Sequence, residues 1–405
     1  MLPSVAQSHL ISDDVEQRRL LLLLFPLNVV IFAGFMTVSL PLPVLPLYAS
    51  STMAAGPATI GFLIGLQSIV TVLTRPYAGR FADTNGARQT TIVGLWICAS
   101  ACLLYLIGVL APGRLLFLLA GRATLGLGES LILTGAITWG IGRVGAQNSG
   151  LVMSWNGLAM YAALAAGAPF GLAVYRTSDN PNIGFLSLGG VAAAFPLLAL
   201  AVTLRVPPTP ILRGEGIPIA PLLRVIWPYG LSLTLLMVSY GSIAAFYALY
   251  FNEMAWQGAG LGFTAFGTAV ILVRVLFGSL PDRIGGNRVA LTSMLVACIG
   301  QITIWFAPSP LVAVLGAFLT GAGVALGFPA LGVEAMKRVP ASSRGMMIAV
   351  FSAFQDLAFG LTGPLAGALI AAFSTSSSTA FFLGSATTVL AAILLAYQWR
   401  FAKNE

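Results

Sequence analysis

Arg75-Pro76-Tyr77-Ala78-Gly79-Arg80-Phe81-Ala82-Asp83-Thr84-Asn85-Gly86-Ala87-Arg88 is a short, charged, glycine-punctuated break between two long apolar runs. The pattern returns at Arg274-Val275-Leu276-Phe277-Gly278-Ser279-Leu280-Pro281-Asp282-Arg283-Ile284-Gly285-Gly286-Asn287-Arg288. Arg75, Gly79, Asp83 and Gly86 recur as Arg274, Gly278, Asp282 and Gly285, each displaced by 199 positions. Internal repetition on this scale decides an architecture before local propensity does. The chain reads as two related halves.

A second set of matches extends the repeat. Gly121, Gly126 and Gly128 recur as Gly316, Gly321 and Gly323, Arg143-Val144 as Arg338-Val339, Gly150 as Gly345 and Pro169 as Pro364, all at a displacement of 195. A four-residue difference between the third and fourth apolar runs reconciles 195 with 199.

The apolar runs set the environment. Of 405 residues, 58% are hydrophobic and 8% charged, too few charges to keep a soluble surface of this size wet. A bilayer-crossing helix needs about 20 mostly apolar residues. Twelve such runs follow one another: 20–48, 58–78, 89–111, 115–142, 150–174, 184–204, 225–251, 260–280, 289–307, 311–336, 345–372 and 380–399. They lack the polar–apolar alternation of barrel strands and exceed them in length. Prolines inside them (Pro41, Pro43, Pro46, Pro169, Pro329, Pro364) are tolerated where neighbours re-satisfy the backbone. The expected fold class is therefore an all-α membrane protein, with twelve transmembrane helices in two pseudo-symmetric six-helix halves. The halves are 1–204 and 225–405, joined by a proline-rich linker, 205–224, that carries Arg213 and Glu215. Arg18-Arg19 ahead of a leucine run resembles the start of a secretory signal, but the run is too long and lacks a small-residue cleavage site, so it reads as a retained first span.

An even number of spans puts both termini on one side, and the basic residues say which. Loops on the terminal side hold 17 of the 20 Lys and Arg residues, the opposite loops hold Arg114 and Arg176, and Arg122 lies within a span. By the positive-inside rule the termini are expected in the cytoplasm, the chain being a multi-pass membrane protein. The same split accounts for the net charge of +8 without a nucleic-acid partner. Cys98, Cys102 and Cys298 lie in apolar runs and His9 is the one histidine, so neither a disulfide framework nor a metal site is expected, and no cofactor. There is no Ser/His/Asp set and no phosphate loop, which argues against an enzyme.

Ionisable residues within a bilayer are costly and are functional candidates by default. Three stand out: Arg122 and Glu129 in the fourth span and Asp356 in the eleventh. Arg122 and Glu129 share a helix face about 10 Å apart along the axis, and Glu129 and Asp356 both fall near mid-membrane, about 21 and 16 Å from the span end used as reference for each. Their counterparts at the 195 displacement are Ala317, Val324 and Tyr161. The glycines are duplicated and the charges are not, as expected if glycines serve packing and charges serve substrate or proton. A carboxylate caught between a desolvating surround and a neighbouring arginine can load a proton on one side and release it on the other. In a chain that moves a solute against protons, Glu129 or Asp356 would be the coupling carrier, with Arg122 as its partner or as counter-ion to an anionic substrate group. A buried structural ion pair is the alternative. Glu334, one turn from Lys337 and Arg338, reads as half of a solvated helix-end pair. Asn28, Asn156, Tyr240 and Gln355 are expected to line the cavity, ahead of Gln67, Tyr161, Tyr247, Gln301 and Trp305, which can equally serve as interhelical hydrogen bonds or interface anchors.

These motifs carry a family likeness over essentially the whole chain. Gly79-x-x-x-Asp83-x-x-Gly86-x-Arg88 resembles the signature loop of the major facilitator superfamily, and Arg122-x-x-x-Gly126-x-Gly128 resembles its fourth-helix motif. Gly360-x-x-Gly363-Pro364-x-x-Gly367 resembles the glycine–proline motif of its antiporters, found there in helix five. Ser154-Trp155-Asn156-Gly157 and Gly327-Phe328-Pro329-Ala330-Leu331-Gly332 are similar to the branch labelled arabinose-efflux-like. The resemblance implies two halves rocking about a midplane site. Arg75, Gly79, Asp83, Gly86 and Arg88, with Arg274, Gly278 and Asp282, would then form gating loops whose carboxylates latch one conformation through an arginine or a helix N-terminus. It implies proton-coupled efflux, by antiport, of a small polar or amphipathic metabolite or drug. The alternatives are a symporter or facilitator importing a sugar or organic acid, and a non-transporting sensor or scaffold. The expected partners are a small-molecule substrate, protons and the lipid bilayer, with the chain acting as a monomer.

Overall fold

Proline decides where the apolar runs bend. In the computed structural model, which describes residues 5–210, 219–339 and 344–401, Pro41 and Pro43 sit in a turn that splits the first span into α1 (Val5–Ser39) and α2 (Val44–Met53). A proline has no amide to donate and its ring collides with the carbonyl four residues back. The rest of the first half is α3 (Pro57–Asn85), α4 (Ala87–Leu110), α5 (Arg114–Val144), α6 (Ser149–Tyr175) and α7 (Pro181–Arg205). The second half is α8 (Ile219–Glu253), α9 (Ala259–Phe277), the short α10 (Leu280–Ile284), α11 (Gly286–Trp305), α12 (Pro310–Ala325), α13 (Gly327–Met336), α14 (Arg344–Phe373) and α15 (Thr379–Phe401). Twelve membrane-crossing lengths result, in the order and near the positions read from the apolar runs, and no strand occurs among the described residues. The centre of the expected linker, residues 211–218 with Arg213 and Glu215, lies outside the described residues.

The duplicated stretch behaves differently from its reading as a break. α3 continues through Arg75 and Pro76 to Asn85, because Ala78 and Ala82 keep one face buried past the proline. The interruption is a single residue, Gly86, at φ 86°, and its counterpart Gly285 has φ 92°. A side chain strains at such angles, so glycine is what lets the chain reverse there in both halves. In the second copy α9 stops at Phe277, and Pro281 in the first turn starts the separate helix α10.

The halves meet along two seams, α3 against α14 and α6 against α9. In the first, Gly61 and Gly65 lie so close to Gly363 and Gly360 that a Cβ on Gly61 would collide with the Gly363 carbonyl. In the second, Gly260 abuts Pro169, and Thr264 donates to the Ala165 carbonyl at 2.9 Å. That carbonyl is the one Pro169, four residues on, cannot bond. Both close approaches lie on the side of the molecule away from the termini.

Candidate functional site

Between the halves, near mid-membrane, lies a cavity of about 80 Å³ walled by α1, α3, α5, α6, α8 and α14. Its apolar wall includes Phe35, Met160 and Phe359, and its polar wall includes Gln67, Arg122, Glu129, Tyr161, Tyr240, Gln355 and Asp356. Small-molecule pockets run to roughly 300–1,000 Å³. The cavity seen is smaller than that range.

The three charged residues singled out from sequence all reach this cavity, but not as a set of mutual partners. Arg122, 2% exposed, turns away from Glu129 and donates to the carbonyls of Leu63 (3.1 Å) and Ile64 (2.7 Å) on α3. Its Nη1 is buried with no hydrogen-bond partner. Glu129 is held by a neutral donor: Gln67 Nε2 donates to its Oε2 at 2.6 Å, and Thr71 Oγ1 stands 3.3 Å from the same oxygen. The expected Arg122–Glu129 partnership is not formed; two helical turns separate them and α3 backbone takes the guanidinium.

Asp356 has a partner that the sequence reading placed elsewhere. Arg75, assigned there to the gating loop, donates from Nε to Asp356 Oδ2 at 2.6 Å and from Nη2 to the same oxygen, across the α3–α14 seam. Gln67, Thr71 and Arg75 fall at four-residue intervals on one stripe of α3. One stripe therefore serves both carboxylates. The spacing is visible in the sequence, within the apolar run 58–78.

On the opposite seam the repeat supplies a second crossing arginine. Arg274, the counterpart of Arg75, lies over the ring of Tyr161, its guanidinium carbon 5.1 Å from the centroid, and Tyr161 is the counterpart of Asp356. Arg274 Nε also donates to the Ala325 carbonyl at 3.1 Å. That carbonyl ends α12 and is the one Pro329 cannot bond.

Of the four residues favoured for the lining, Tyr240 and Gln355 do line the cavity and Asn28 and Asn156 do not. Asn28 precedes Phe35 by two helical turns and Asn156 precedes Met160 by one, which sets them about 10 and 6 Å nearer the terminal side. Gln67 and Tyr161 line it as well. Gln301 instead donates to Ser239 O and Thr320 Oγ1, while Tyr247 and Trp305 pack among aromatic rings. Glu334 pairs with Lys337 at 2.8 Å as expected, but it is buried rather than solvated, and accepts from the Gly286 amide that opens α11 (2.9 Å). Asp83 and Asp282 are exposed, and neither makes an ion pair among the described residues. Arg88 stays within its own half, donating to the Thr203 and Leu204 carbonyls at the end of α7.

Comparison with known proteins agrees with this fold. A family profile described as Major Facilitator Superfamily matches residues 27–261 and 230–404. An uncharacterized MFS-type transporter of Salmonella typhimurium (strain LT2) is 42% identical over 350 residues, covering 85% of this chain and 89% of that protein. Among solved structures, a D-xylose-proton symporter superposes with a TM-score of 0.75 at 16% identity, covering 92% of this chain and 96% of its own. A point mutant of the nucleoside transporter NupG gives 0.74 at 15%, covering 93% and 99%. At such identities the two structures speak for the fold alone.

Proposed function

Because the chain belongs to the major facilitator superfamily, and so is a multi-pass membrane transport protein and not an enzyme, we propose that it exports a small polar or amphipathic molecule in exchange for protons, with Glu129 as the proton carrier. The observation that carries this reading is the different company of the two midplane carboxylates. A proton on Asp356 would leave Arg75 buried without its counter-charge while the halves stay in contact, which is costly in a low-dielectric surround, so Asp356 takes one only as that contact parts. A proton on Glu129 strands no cation, since its donor is neutral and Arg122 is held by carbonyls. Glu129 can thus be charged or neutral without disturbing the contact between the halves. The direction rests on the glycine–proline motif and the arabinose-efflux-like likeness. The membrane is the bacterial cytoplasmic membrane, on the arabinose-efflux-like likeness, with both termini inside on the basic-residue split, and the working unit is a monomer. The loops at Asp83 and Asp282 act as latches in the conformation that closes the terminal side.

One observation favours import by symport of an organic acid: the partnerless Nη1 of Arg122, a buried donor that an anionic group would satisfy. Reconstituted protein given an imposed pH gradient separates the two. For a panel of radiolabelled sugars, carboxylates and cationic dyes, antiport predicts accumulation in vesicles that are acid inside, and symport in vesicles that are acid outside. Glu129→Gln is expected to abolish the gradient's effect in either case. Flux of every transported compound indifferent to the gradient, or unchanged coupling in Glu129→Gln, would overturn proton coupling through this residue.

A further inference from the structure

The two seams are related by the repeat, yet they are fastened by different chemistry. Across α3–α14 the fastening is glycine backbone on glycine backbone plus the Arg75–Asp356 ion pair. Across α6–α9, where Gly260 and Gly267 also bring the helices close, it is the Thr264 hydrogen bond to Ala165 plus Arg274 over the Tyr161 ring in place of an ion pair. Arg274 is held on three sides. Its Nε stands in for the amide that Pro329 lacks, its flat face lies on Tyr161, and its Nη1 occupies the space left by the missing side chain of Gly157, where any Cβ would collide with it. Guanidinium on an aromatic face is an attraction that strengthens when desolvated.

We propose that Arg274 and Tyr161 are positioning residues that make α6–α9 the seam indifferent to protons, while Arg75–Asp356 makes α3–α14 the seam that a proton can release. The division follows from the atoms. An ion pair to a carboxylate loses its charge–charge attraction once the carboxyl binds a proton; the arginine–ring contact has no group that titrates near neutrality. The charged and titratable groups about Asp356 are Arg75 on α3 and Glu129 on α5, with Arg122, Tyr161 and Tyr240 on the other cavity walls. About the Tyr161 ring they are Arg274 on α9 and Tyr240 on α8, with Arg122, Glu129 and Asp356 on the other walls of the shared cavity. One seam then serves as pivot and the other as clasp. This goes beyond the transport reading by assigning Asp356 to conformation and leaving Glu129 to carry the proton.

The test needs no substrate. Spin labels at Thr84 and Ala349 span the terminal-side ends of α3–α14, and labels at Ser154 and Leu276 those of α6–α9, in full-length protein in lipid nanodiscs. The 84–349 distance distribution is expected to shift between neutral and acid pH, and the 154–276 distribution to stay still. Asp356→Asn should freeze the first. Tyr161→Phe should change neither. Tyr161→Leu should lower the closed population of the second by roughly 2- to 30-fold at every pH without giving it a pH response. Tyr161→Asp, which copies the other clasp, should give it one. The proposal is overturned if both seams of the unmodified protein titrate together, if Asp356→Asn leaves the 84–349 response intact, or if Tyr161→Leu abolishes that response. Failure of the transport reading shows up separately, as absent flux beside an intact pattern of distances.

Discussion

At the scale of single residues, the unequal partnerships of Glu129 and Asp356 predict unequal phenotypes. Glu129→Gln is expected to lose gradient-driven accumulation while keeping substrate exchange at equal pH on the two sides, because its amide still satisfies Gln67. Side-by-side accumulation and exchange assays on one preparation check this. Asp356→Asn leaves Arg75 without its counter-charge, so Arg75→Gln should partly rescue its thermal stability in detergent. A double-mutant cycle is expected to return a coupling of about 0.5–3 kcal/mol, and additivity of the two single losses would remove the pair's energetic role. Charge content and depth are legible in sequence: Arg122, Glu129 and Asp356 stand out because nothing at the matching repeat positions is charged. Their partners are not. Arg75 lies 281 positions from Asp356, and no spacing along α3 announces that its side chain crosses to α14. Asn28 and Asn156 fail on depth, a matter of one or two helical turns that apolar-run boundaries do not resolve.

At the scale of helices, the small residues decide how closely the seams shut. Gly61→Ala puts a methyl into the Gly363 carbonyl, and overpacking of this kind costs about 1–3 kcal/mol. The closed α3–α14 contact should lose population by roughly 5- to 150-fold, read as faster thiol labelling of a cysteine introduced near Pro57, with insertion into the membrane unchanged. Unaltered labelling would mean that the seam opens elsewhere. The helices themselves are readable from length and hydropathy, as is the repeat that orders them. What the apolar pattern leaves unseen is the repair of proline damage. Thr264 covers the carbonyl freed by Pro169 and Arg274 the one freed by Pro329, each from another helix and, for Thr264, from the other half. Such repairs need three-dimensional proximity, and no spacing along one helix announces them.

At the scale of the whole molecule, the two halves and their basic-residue asymmetry predict topology. A fluorescent protein fused at either end of the chain should light up inside the cell, and an alkaline phosphatase fused in the same places should stay inactive; active phosphatase at one end would break the twelve-span count. The glycine seam has a further consequence for speed. Closing most protein contacts immobilises side chains, at roughly 0.5–1.5 kcal/mol for each rotamer-rich one. Gly61, Gly65, Gly360 and Gly363 have no side chains to immobilise. That contact can form and part with little rotamer entropy lost or regained, so its opening rate should depend only weakly on temperature-driven side-chain disorder. The balance between open and shut then leans more on the polar contacts nearby, the Arg75–Asp356 pair among them.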